Sequence, residues 1–113
     1  MNVEAIIKVF SDMQEGRQAL VLAKFAYELT VLTRETYLGS TSGTTTIKGR
    51  EINELQHRVI AAIVTRLTSN PQRYPDDVLV RMCIDPANNP LALSSGPIFA
   101  RLVTEVASGS SVQ

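Results

Sequence analysis

In Glu54-Leu55-Gln56-His57 a carboxylate and an imidazole stand three residues apart. On a helix that spacing turns both side chains toward one point. Glu-x-x-His pairs hold metal ions in carboxylate-bridged helical bundles, where two such motifs and further carboxylates are needed. This chain has one such motif and one histidine. A ligand or metal site therefore requires a second copy of the chain, with Glu28 as the added carboxylate from each subunit. Glu28, Glu54 and His57 are the candidate ligand-binding residues on that reading. A solvated surface Glu–His pair is the simpler expectation, so no metal ligand is assigned. His57 as a general base would need an orienting group and a nucleophile or substrate pocket. Glu54 could orient it and Tyr27 or Tyr37 could stand nearby, but no spacing demands it. No catalytic residue is assigned and no cofactor is expected.

Cys83 lies between Met82 and Ile84 in the most apolar short segment. It falls near the end of a predicted helix, where the dipole disfavours a thiolate, so it reads as a small core residue. A single cysteine excludes an internal disulfide, and a reduced thiol in a cytoplasmic protein is the expectation. No apolar stretch approaches the ~20 residues that span a bilayer.

A second candidate for chemistry is the Ser/Thr/Gly-rich segment Gly39 to Gly49, GSTSGTTTIKG. Lys48 and Arg50 flank the start of a predicted helix, whose free backbone donors could hold an anion. A Walker A loop does not fit. Gly43 is followed by Thr44, and a helix rather than a strand precedes the segment. We read it as a flexible loop, able to extend locally at Thr44–Ile47.

Eleven Lys and Arg balance eleven Asp and Glu, which argues against a polyanion binder driven by bulk charge. The balance is uneven along the chain. Residues 48–73 carry five basic against two acidic groups, net +3, while residues 74–113 come to −2 and residues 1–47 to −1. Arg50, Arg58 and Arg66 recur every eight residues, which permits weak nucleic-acid binding through residues 48–73. Against it, no predicted connection supplies the tight turn of a helix-turn-helix, and no aromatic residue is interleaved with the basic ones. The opposite charges of the middle and C-terminal segments are expected to meet each other.

The elements that must position these groups are helical. Val3, Ile6, Ile7 and Phe10 follow the i, i+3, i+4, i+7 pattern behind Asn2, a fitting N-cap. Either Ser11 or Asp12 caps the next helix, or Gly16 ends the first one. A second helix is predicted over about Arg17 to Tyr37, with one stripe of Leu22, Phe25, Leu29 and Leu32 and another of Leu20, Ala23, Tyr27 and Val31. Tyr27 is expected to bury its ring and leave its hydroxyl at the rim. A third helix is predicted over about Glu51 to Ser69, striped by Ile52, Leu55, Val59, Ala62, Ile63 and Leu67. All five prolines fall after residue 70 and divide the rest into short pieces. Pro75-Asp76-Asp77 opens a helix to Ile84. Asp85 to Leu93 reads as a proline-bounded loop, and Ser95-Gly96-Pro97 as the start of a last helix ended by Gly109.

A chain of 113 residues with 44% hydrophobic content forms one core. The expectation is an all-α small bundle over residues 1–108. A long antiparallel helix hairpin carries shorter N- and C-terminal helices, and residues 109–113 form a frayed tail. Apolar residues wrap more than one face of the two long helices, beyond the ~100° that one partner surface covers. That surplus predicts a non-enzymatic interaction module that forms a homo-oligomer, a dimer first, or binds another protein. Neither nucleic acid nor a membrane is the expected partner.

Overall fold

The computed structural model describes residues 2–38, 49–68 and 74–109. Among them the chain forms five helices and no strand: α1 (Val3–Asp12), α2 (Glu15–Leu38), α3 (Gly49–Thr68), α4 (Asp76–Ile84) and α5 (Ala92–Ser108). The all-α bundle expected from apolar spacing is the observed architecture. Residues 39–48, 69–73 and 110–113 lie outside the described residues, and with them the loop expected up to Lys48 and the tail expected beyond Gly109.

Local chemistry sets the helix ends. Asn2 caps α1 by accepting the Ala5 backbone N–H at 3.2 Å. The link to α2 is only Met13 and Gln14, and the Gln14 carbonyl accepts from Arg17 and Gln18. Neither Ser11 nor Asp12 caps α2, and Gly16 ends nothing, because it sits in the first turn of α2. Asp76 and Asp77 occupy the first turn of α4 behind Pro75, where carboxylates meet the positive end of the helix dipole. Gly109 closes α5 in the left-handed region at φ 80°, which glycine enters without steric cost.

The last helix corrects the sequence expectation. α5 begins at Ala92, so Pro97 stands inside it rather than at its start. Side-chain bonds in the preceding turn make this possible. Buried Asn89 donates to the Met82 carbonyl at 3.1 Å and accepts the Leu91 N–H at 3.0 Å. Asp85 accepts the Ala87 N–H at 3.0 Å. Such Asx bonds order a polar segment that lacks apolar periodicity. Pro97 has no N–H for the Leu93 carbonyl one turn back, so α5 lacks one internal hydrogen bond there.

α2 is the centre of the bundle, packed on α3 along one side and on α5 along another. Arg66, near the end of α3, meets Gln18 at the start of α2 (2.9 Å). Arg17 at the start of α2 donates to the Val106 carbonyl near the end of α5 (2.9 Å). Both neighbours therefore run antiparallel to α2. α1 lies on α4 and α5, with Glu4 taking both its oxygens to Arg81 (2.7 and 2.9 Å).

Phe99 is the pivot of the core, tilted on Phe10 (centroids 5.9 Å) and edge-on to Phe25 (5.0 Å). Around these rings Val21, Leu22, Leu29, Val59, Ile63, Leu79, Val103 and Val106 are sealed from water. The second stripe of α2 is not. Tyr27 is 72% exposed, contrary to the buried ring expected of it, and Ala23 faces solvent. On α3, Val64 and Leu67 are 50% and 43% exposed.

Candidate functional site

Two seams flank α2, and each is organised around an arginine. Between α2 and the α3–α4 corner, Arg66 is almost enclosed. Its Nη1 lies 2.7 Å from Asp76 Oδ1, and its Nη2 donates to Gln18 Oε1 at 2.9 Å. Gln18 in turn donates to the Phe10 carbonyl at 2.8 Å and approaches Asp76 Oδ2 at 3.4 Å. This network joins α1, α2, α3 and α4. It also realises the expected meeting of the basic middle segment with the acidic C-terminal one. Arg66 thereby leaves the eight-residue basic row, so the solvent-facing arginines of that row are Arg50 and Arg58.

The other seam is open. α2 and α5 leave a groove of about 690 Å³ between them. Its apolar lining comes from Ala23, Tyr27, Val31 and Leu32 on α2 and from Ile98 and Leu102 on α5. Charged groups stand along it. Arg101 Nη2 donates to Glu28 Oε2 at 2.7 Å, and Arg101 Nη1 lies 3.4 Å from Glu105 Oε1. The hydrogen bond and charge of Glu28, reinforced by Glu105, push the Arg101 guanidinium above its ordinary range. Lys24 completes the set. The second stripe of α2 recurs at i, i+4, i+8, so Ala23, Tyr27 and Val31 line up along this groove rather than inside the core.

No known protein family, curated protein or solved structure matches the chain. The site therefore has to be read from its own residues.

Of the candidate residues, Glu28 stands in the groove, paired to Arg101. Glu54 and His57 project to solvent from α3, with Glu54 ion-paired to Arg50 at 3.8 Å. Within one chain the structure does not bring Glu28 together with Glu54 and His57. Among the described residues no three His, Cys, Asp or Glu side chains gather as a metal ion would require. Arg50 is highly exposed, and Lys48 lies outside the described residues.

Sequence reading missed Lys24, Arg101 and Glu105. The signal was present: Lys24 and Glu28, like Arg101 and Glu105, are cation-then-anion pairs four residues apart. That order is the weaker one for pairing within a helix. What it does across two antiparallel helices depends on tertiary structure.

Proposed function

We propose that this chain is a non-enzymatic helical interaction module of the cytoplasm that self-associates as a homodimer through the α2/α5 groove. The observation that carries the reading is the apolar strip of α2 left outside the core, continuous with the groove and marked by Tyr27 at 72% exposure. Covering a few hundred Å² of such surface yields several kcal/mol at about 25 cal/mol per Å². Exposed tyrosine is a favoured anchor at interfaces, because a large ring is ordered at low entropic cost. Zero formal net charge removes the long-range repulsion that keeps copies apart.

Sedimentation equilibrium or light scattering at micromolar concentration tests the reading. The expected mass is twice the 12.4 kDa of the chain. Tyr27→Glu should give a monomer of unchanged helix content. A wild-type chain that stays monomeric would remove the proposal.

A further inference from the structure

The apolar surface of α2 does not end at the groove. Ala19, Ala23, Tyr27 and Val31 form one i, i+4 row on α2, half-buried at its ends and exposed in the middle. Thr30 beside them ties its hydroxyl to the Ala26 carbonyl at 2.9 Å. Between Gln18 and Tyr27 the one charged residue is Lys24, which lines the groove shared with α5. The last turns of α3 repeat the pattern. From Val59 to Thr68 the one charged residue is Arg66, and it is engaged by Asp76 and Gln18. The exposed residues of that stretch are Ala61, Val64, Leu67 and Thr68, and the Thr68 hydroxyl donates to the Val64 carbonyl at 2.7 Å.

These two surfaces join. Leu67 lines a small cleft together with Ala19 and Leu22 of α2. Val64 stands one turn before Leu67, and because α3 runs antiparallel to α2 it lies toward Ala23. A surface helix ordinarily turns charged side chains to water, whereas here two neighbouring helices turn uncharged ones. A contiguous apolar surface of this kind marks a contact site.

The occupant follows from size and charge, on the reading that the chain self-associates through the groove. Ten residues line the groove. A standard interface takes roughly 20–30 residues from each side, so a dimer closed over the groove alone would be undersized. The neutral surface of α2 and α3 adjoins the groove and supplies the shortfall. In the groove itself Lys24 and Arg101 balance Glu28 and Glu105. The same face on a second copy therefore meets it without net repulsion.

We propose that the second copy covers a face three helices wide, from Ile98 of α5 across Tyr27 of α2 to Val64 and Leu67 of α3. Tyr27 stands near its centre, where the anchors of an interface concentrate. Val64 and Leu67, at 50% and 43% exposure, are its α3 side and lose their contact with water when two copies meet.

Substitution on α3, away from the groove, tests the extent of the face. Val64→Glu and Leu67→Glu should each weaken dimerisation about tenfold or more in sedimentation equilibrium, with helix content unchanged. Val78 of α4, 42% exposed and outside this face, is the matched control. Val78→Glu should stay within about twofold of wild type. A second readout reports coverage without adding charge. Val64→Cys should react with a maleimide severalfold more slowly in the dimer than after dilution to monomer, with Cys83 buried and silent. Val78→Cys should react alike in both. A wild-type chain that stays monomeric would overturn self-association itself. A dimer that is lost in Tyr27→Glu yet tolerates both α3 substitutions, or that leaves Val64→Cys as reactive as in the monomer, would overturn the three-helix face alone. So would a Val78→Glu variant as weakened as the α3 variants.

Discussion

The two flanks of α2 use the same chemistry, an arginine between a carboxylate and a second oxygen acceptor, to opposite ends. On the α3–α4 flank, the Arg66 and Asp76 side chains are 13% and 28% exposed. On the α5 flank, those of Arg101 and Glu28 are 49% and 36% exposed, although the ion-pair distance is the same 2.7 Å. Distance therefore does not separate a structural pair from an available one; surroundings do. A charge removed from water makes its partner indispensable, whereas a pair left in water can be exchanged at small cost.

The largest effect should come from the shared floor beneath both flanks. Phe99→Ala removes the ring that touches both Phe10 and Phe25, and chemical denaturation should show a loss of about 3–5 kcal/mol. Next, Asp76→Ala leaves Arg66 nearly enclosed without a carboxylate, with an expected loss of about 2 kcal/mol by the same assay. Gln18→Ala should cost somewhat less, about 1–2 kcal/mol, by leaving one Arg66 donor without its acceptor, while the Phe10 carbonyl keeps the Met13 N–H. Glu28→Gln, on the open flank, should change monomer stability by less than about 1 kcal/mol. Equal sensitivity of Asp76 and Glu28 to substitution would abolish the distinction between the flanks.

Much of this bundle was legible in apolar spacing. The stripe Ile6, Ile7, Phe10 and the stripe Leu22, Phe25, Leu29 face the core as their period requires. Asn2 marks a helix start through a local cap bond and Asp76 through its place at the positive end of the α4 dipole, both of which sequence alone suggests. The start of α5 was not legible, because Asn89 and Asp85 order that turn through side-chain bonds to backbone groups, which leave no periodic trace. Tyr27 was misplaced because a wide apolar arc does not say which of its edges a neighbour covers. Val21, fully buried beside the stripes that periodicity selected, is the same uncertainty seen from the other edge. The groove charges were visible as spaced pairs, but their levels depend on how α2 and α5 align. Arg66 looked like one step of a basic row and is instead committed to Asp76 and Gln18.

Cys83 lies wholly inside the bundle, on the helix that packs against α1 and α5, and burial pushes its thiol well above the ordinary range. A thiol held in that state is inert to alkylating reagents while the helices stay together. Since the chain has no other sulfhydryl, each molecule can be tagged once, and only after its interior has come apart. The rate at which a native sample takes up such a tag is thus a built-in clock for spontaneous opening of the bundle.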